Sequence, residues 1–145
     1  MTRLLLILAV AASLGAQGTR WKQIGTTTTG NPVFVDPRSV STKDGIITAK
    51  VRVTFAEPVK MPSGLVTATQ TTAMFDCPNK KVAVKESVFF ADESKGIIAE
   101  RRAPKQPGFG PVFRSNFSGV ALDYLCVPPP APLPPPAPPK RPPAP

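Results

Sequence analysis

From Ile47 to Phe55 the chain alternates. Ile47, Ala49, Val51, Val53 and Phe55 are apolar, and Thr48, Lys50, Arg52 and Thr54 between them are polar. A period of two over that length predicts a strand with one buried and one wet face. Asp44-Gly45 stands just upstream between two extended runs, the preferred chemistry of a type I′ hairpin turn. Its partner run is "VFVDPRSVST", where Pro37 has no amide to donate and predicts an edge, bulge or bend. "EPVKMPSG" then breaks the alternation and reads as a loop, and "LVTATQTTAMFDC" resumes an extended run. After the turn "CPNKK" comes the strand "KVAVKESVFFAD", with Val82, Val84, Val88 and Phe90 on one parity. "ESKG" turns the chain into "GIIAERR", and "RWKQIG" supplies a short first strand. Short turns between successive strands make antiparallel neighbours.

The period changes after the proline-rich loop "APKQPGFGP". Phe117, Val120, Ala121, Tyr124 and Leu125 recur at helical spacing and define one face of a helix. Ser115 or Asn116 can accept from an orphan amide and start it. Gly119 costs up to about 1 kcal/mol there relative to Ala, so the helix depends on tertiary support. A half-apolar sheet needs such a cover. The expected fold class is α+β: a single antiparallel meander of five or six strands packed by a C-terminal helix and tied by one disulfide.

Residues 1–18 carry Arg3, an apolar run from Leu4 to Leu14 and then small residues. That is a secretory signal peptide, too short to span a bilayer, with cleavage after Gly15, Ala16 or Gly18. No cysteine near the cleavage region would accept a lipoprotein anchor. The expected protein is exported, to the periplasm or the cell surface, and does not span the membrane. Residues 19–127 form the domain. Residues 128–145 hold 12 prolines and form a polyproline II or disordered tail, read first as a stiff spacer.

Export determines how the two cysteines are read. Cys77 and Cys126 allow one intramolecular pairing, and an oxidising compartment favours it. Two thiolates without histidine make a poor zinc site, and the spacing is not that of a CxxC redox motif. No metal and no cofactor are expected.

The chain contains no histidine, which removes Ser-His-Asp and Cys-His catalysis. Asp36 and Asp76 end strands and read as turn caps. "GTTTTGN" lacks the ending and the following helix of a phosphate loop and reads as a polar loop. An enzyme is therefore not expected. The formal net charge is +9. The basic residues cluster at Lys80, Lys81 and Lys85 and at Arg101, Arg102 and Lys105, which are the candidate contacts for an anionic partner. Aromatic residues are not interleaved with them as in nucleic-acid modules, so nucleic acid is not an expected partner. The expected partner is a protein or an anionic envelope or matrix component. The alternative is a periplasmic small-ligand-binding or enzyme-modulating domain.

Together, "RWKQIGTT", "PVFVDPRSV", "MFDCPNKK", "SVFFADESKG" and "ALDYLC" resemble the surface-adhesin protein E family of Gram-negative bacteria over residues 20–127. The resemblance implies an antiparallel sheet with a C-terminal helix and a disulfide. It also implies an adhesin-like binding role, with host matrix or serum proteins as the partners of the best-known member. Trp21 carries over as a structural position. The chain departs from the family in having "APKQPGFGPVF" where a second Trp is expected, and in its proline tail.

Overall fold

The computed structural model describes residues 20–127. The expected signal peptide and the expected polyproline II or disordered tail lie outside the described residues. Six strands run in meander order: β1 (Lys22–Thr26), β2 (Pro32–Val35), β4 (Ile46–Met61), β5 (Gly64–Asp76), β6 (Lys81–Asp92) and β7 (Ile97–Arg102). Two short strands lie off this path, β3 (Ser41–Lys43) on β4 and β8 (Gly110–Pro111) on β6. One helix, α1 (Phe117–Leu125), follows. All pairings are antiparallel. The α+β architecture expected from the sequence is the one observed.

The Asp44-Gly45 hairpin forms as its residues dictate. Both have positive φ, 51° and 76°, as a type I′ turn requires. Pro37 bends the partner run into two pieces, so that β2 pairs with Val51–Val53 and β3 with Ile46–Thr48. The bend itself is a 3-10 turn, Pro37–Ser39, capped by Asp36, whose Oδ1 accepts from the Arg38 amide at 3.1 Å. Asp36 is buried and its other oxygen accepts from Arg20 Nε at 2.7 Å. Asp76 caps the β5–β6 turn through the Asn79 amide.

Two expectations fail and a third holds in part, each for a tertiary reason. "EPVKMPSG" is not a loop, because β4 continues to Met61 and turns tightly through Pro62-Ser63. Pro58 is accommodated by an irregularity between Thr54 and Val59, where its missing amide leaves no ladder bond unmade. Val82, Val84, Val88 and Phe90 do not share a face. Thr72 pairs with Glu86 but Ala73 with Val84, so Lys85 is the extra residue of a bulge and the parity changes there. Of the expected helix face, Phe117, Val120, Ala121 and Leu125 do pack on the core, and the buried stripe widens beyond it. Ser118, Gly119, Ala121 and Leu122 are its buried residues, whereas Tyr124 is exposed.

Two close approaches seat the helix. A Cβ on Gly119 would lie 2.5 Å from Arg114 Cα, so only glycine lets the preceding loop cross here. A Cβ on Gly25 would lie 2.7 Å from Val120 Cγ1, so the helix sits directly on β1. Asn116 caps the helix, its Oδ1 accepting from the Ser118 amide at 2.9 Å. Beneath the helix, Val33, Val35, Ala49, Val51, Val53, Ala73 and Phe75 form the core with Ala121 and Leu122. Cys77–Cys126 closes the structure with a Cα–Cα distance of 5.5 Å, joining the end of β5 to the helix C-cap.

Candidate functional site

The helix covers one face of the sheet, and the polar parity of β4 points to the other. Register makes a continuous cross-strand row there: Gln23, Phe34, Arg52, Gln70, Val88 and Arg101 are direct neighbours across β1, β2, β4, β5, β6 and β7. A second row alongside it holds Lys50, Thr72 and Glu86. Ala68, Val88 and Phe90 form a small apolar cluster on this face.

Arg52 is the centre of the first row. Its guanidinium carbon lies 4.4 Å from the Phe34 ring centroid and 4.9 Å from that of Trp21. Trp21 also receives Arg20 at 5.9 Å. Such cation–π contacts are each worth about 0.5–1 kcal/mol when exposed and more when desolvated. Arg52 Nη1 meets Glu93 Oε1 at 3.4 Å, and the same oxygen accepts from Gln70 Nε2 at 3.0 Å. The Arg52 Nε is buried with no hydrogen-bond partner among the described residues. The arginine is therefore held in place by two rings and one carboxylate.

Next to this stack is an open concavity of about 530 Å³ lined by Arg20, Asp36, Arg38, Ser39 and Lys50. Three cations face one carboxylate, and that carboxylate is already engaged by Arg20 and the Arg38 amide. Neither Arg38 nor Lys50 forms a salt bridge among the described residues. The concavity can accept a carboxylate, sulfate or phosphate group without first breaking an ion pair.

The six basic residues singled out from the sequence lie elsewhere, on the margin formed by β6, β7 and β8. Lys80 is in the β5–β6 turn with a positive φ of 51°, Lys81 opens β6, and Lys85 is the bulged residue. Arg101 is ion-paired with Glu86 and Arg102 with Glu100, on opposite faces of the sheet. Lys105 is exposed in the loop after β7. The Arg102 hydrogen bond holds the Glu100 carboxyl below its ordinary range and raises the Arg102 pKa in return. They share a margin but make no common pocket. Arg38, Lys50 and Arg52 were not singled out as contacts from the sequence, although Lys50 and Arg52 occupy the wet parity of the clearest strand. No group of three or more potential metal ligands occurs among the described residues.

The sequence profile of the surface-adhesin protein E family matches residues 21–127. The chain belongs to that family. The same fold is seen in protein E of Haemophilus influenzae. Its selenomethionine form is 12% identical with a TM-score of 0.51, the alignment covering 74% of this chain and 86% of that one. Protein E from a non-typeable strain gives 12% identity and a TM-score of 0.50, covering 74% and 76%. No curated protein matches the sequence significantly. At this identity the likeness establishes a shared fold, while the family match assigns an adhesin module. Among the described residues, no helix of this family member is long and apolar enough to cross a membrane.

Proposed function

We propose that the chain is an exported, non-enzymatic binding module of the bacterial envelope that holds an anionic protein or matrix polymer against its open sheet face. Residues 128–145 act as a proline-rich spacer between the module and whatever lies beyond it. The observation that carries the reading is the Arg38–Lys50 concavity beside the Trp21–Arg52–Phe34 stack, where cations without carboxylate partners adjoin a rigid aromatic surface. Membership of an adhesin family supports a binding role. An extended partner with acidic groups would cross the face along the register row, its charges attracted by Lys50 and Arg38 and its apolar parts lying on Trp21 and Phe34. The basic margin at Lys80, Lys81, Lys85 and Lys105 would add long-range attraction.

The test is capture of anionic matrix glycans and matrix proteins on a sensor surface by the mature protein. Three other proteins are run in parallel: Lys50→Glu, Arg38→Glu, and a form truncated after Val127. Charge reversal at either position should weaken capture at least tenfold and flatten its dependence on salt, while truncation should leave the affinity unchanged. Capture indifferent to both reversals would refute the open face as the contact surface. Loss of capture on truncation would instead make the proline segment the ligand and the domain its anchor.

A further inference from the structure

On the helix side of the sheet, away from the basic face, lies a cavity of about 360 Å³. Val53, Phe55 and Phe117 give it an apolar floor, and hydroxyls of Thr28, Thr69 and Ser115 stand around it. One wall is the threonine loop that the sequence showed only as a polar connection. That loop is braced from within. Thr27 Oγ1 accepts from the Asn31 amide at 3.1 Å and lies 3.0 Å from Thr29 Oγ1, which accepts from Asn31 Nδ2 at 3.0 Å. Asn31 Oδ1 in turn accepts from the Ala56 amide at 3.0 Å, pinning the loop to β4. Thr28 donates from both its amide and its hydroxyl to Ser115 O, at 3.3 and 3.2 Å, tying the loop to the chain ahead of the helix. Asn116 also lines the cavity, with its Oδ1 already taken by the amide and hydroxyl of Ser118.

We propose that this cavity binds an uncharged pyranose ring. Among the described residues its lining includes no ionisable side chain, so a charged ligand would enter uncompensated. A wholly apolar ligand would cover the hydroxyls of Thr69 and Ser115, which have no protein partner among the described residues, and leave them unsatisfied, which costs free energy. The occupant therefore needs one apolar face for Val53, Phe55 and Phe117 and a polar edge for the hydroxyls. A pyranose has both, a face of C–H groups and a rim of hydroxyls. The volume falls within the range of small-ligand sites, about 300–1,000 Å³. The loop's internal bonds pre-form the wall, so little ordering cost is left for binding.

The site is separate from the open face, and its test is independent of the reading above. The mature protein, 15N-labelled, is titrated with methyl β-galactoside and with N-acetylglucosamine, to separate galactose-terminated glycans from wall-type amino sugars. Glucuronate serves as the charged control. One neutral sugar should give saturable amide shifts confined to residues 27–31, 53–55, 69 and 115–117, with a Kd on the order of 1 mM. Thr69→Phe fills the cavity and should weaken binding at least tenfold. Ser115→Phe changes an exposed rim residue, keeps the backbone acceptor, and should do the same with an unchanged far-UV spectrum. The proposal is overturned by no saturable shift with either neutral sugar, by shifts elsewhere, by an equal response to glucuronate, or by binding that survives Ser115→Phe.

Discussion

Replacing Gly25 with alanine tests how the helix is seated. The new Cβ would lie 2.7 Å from Val120 Cγ1, a separation that packed structures do not tolerate. Gly25 has no positive φ, so the backbone itself accepts alanine, and the effect is one of packing. Val120 is β-branched on a helix and has essentially one good rotamer, so it cannot simply turn away. Either it moves off-rotamer or the helix lifts from β1, and overpacking of this kind costs about 1–3 kcal/mol. Against this, alanine stiffens the unfolded chain and returns about 0.4–1 kcal/mol. The net expectation is a loss of about 1–2 kcal/mol. Val120→Ala alone removes two methyls from a half-buried side chain, a loss of about 1 kcal/mol. In the double variant the added and the removed carbons offset one another. Its destabilisation should fall short of the sum of the singles by at least about 1 kcal/mol. The assay is urea unfolding of the oxidised protein, followed by far-UV circular dichroism and by the fluorescence of Trp21, the chain's single tryptophan. Gly25→Ala at wild-type stability, or two single changes that add within about 0.5 kcal/mol, would refute direct helix-on-strand contact.

Removing the disulfide by Cys77→Ala with Cys126→Ala frees a loop of sequence separation 49. In the loop-entropy picture that should cost about 4 kcal/mol, and a loss under about 1 kcal/mol in the same urea assay would contradict it. Glu100 should titrate below its ordinary value of 4.5 because the Arg102 side chain hydrogen-bonds the ionised carboxyl, with Ser63 Oγ donating to its other oxygen. Since the folded pKa is depressed, the group contributes stability above its unfolded pKa and loses it as pH falls through the folded one. Carboxyl NMR titration should show the Glu100 midpoint rising in Arg102→Ala, and an unchanged midpoint would sink the assignment. Asp92 should likewise titrate below 3.8, held there first by the Ser94 hydroxyl, and Ser94→Ala should raise its midpoint in the same spectra.

The alternation of β4, the Asp44-Gly45 turn, the bend at Pro37 and the Asn116 cap were all legible in the sequence. Each depends on residues within a few positions of one another, where backbone preference and local hydrogen bonding decide the outcome. The bulge at Lys85 was not legible, because an extra residue in one strand is defined only by what lies opposite it. The extension of β4 through Pro58 was hidden for the same reason: a proline is tolerated there once the ladder is irregular at that point. The helix face was legible in Phe117, Val120, Ala121 and Leu125, but the burial of Gly119 was not, because it lies beneath the backbone of Arg114 and hydropathy does not record that approach.

The candidate sites divide along the same line. Charge and parity were enough to mark Lys50 and Arg52 as solvent-facing, and the basic cluster along β6 and β7 could be read directly. That Arg52 stacks between Trp21 and Phe34, and that four threonines wall a cavity floored by Phe55 and Phe117, depends on contacts between distant parts of the chain. The sequence by itself determined most of the elements, the fold class and the cysteine pair, since period, turn chemistry and composition act locally. Only the tertiary structure decided which polar residues meet. Strand register and helix seating set those meetings, and a slip of one residue would turn every side chain of a strand to the other face.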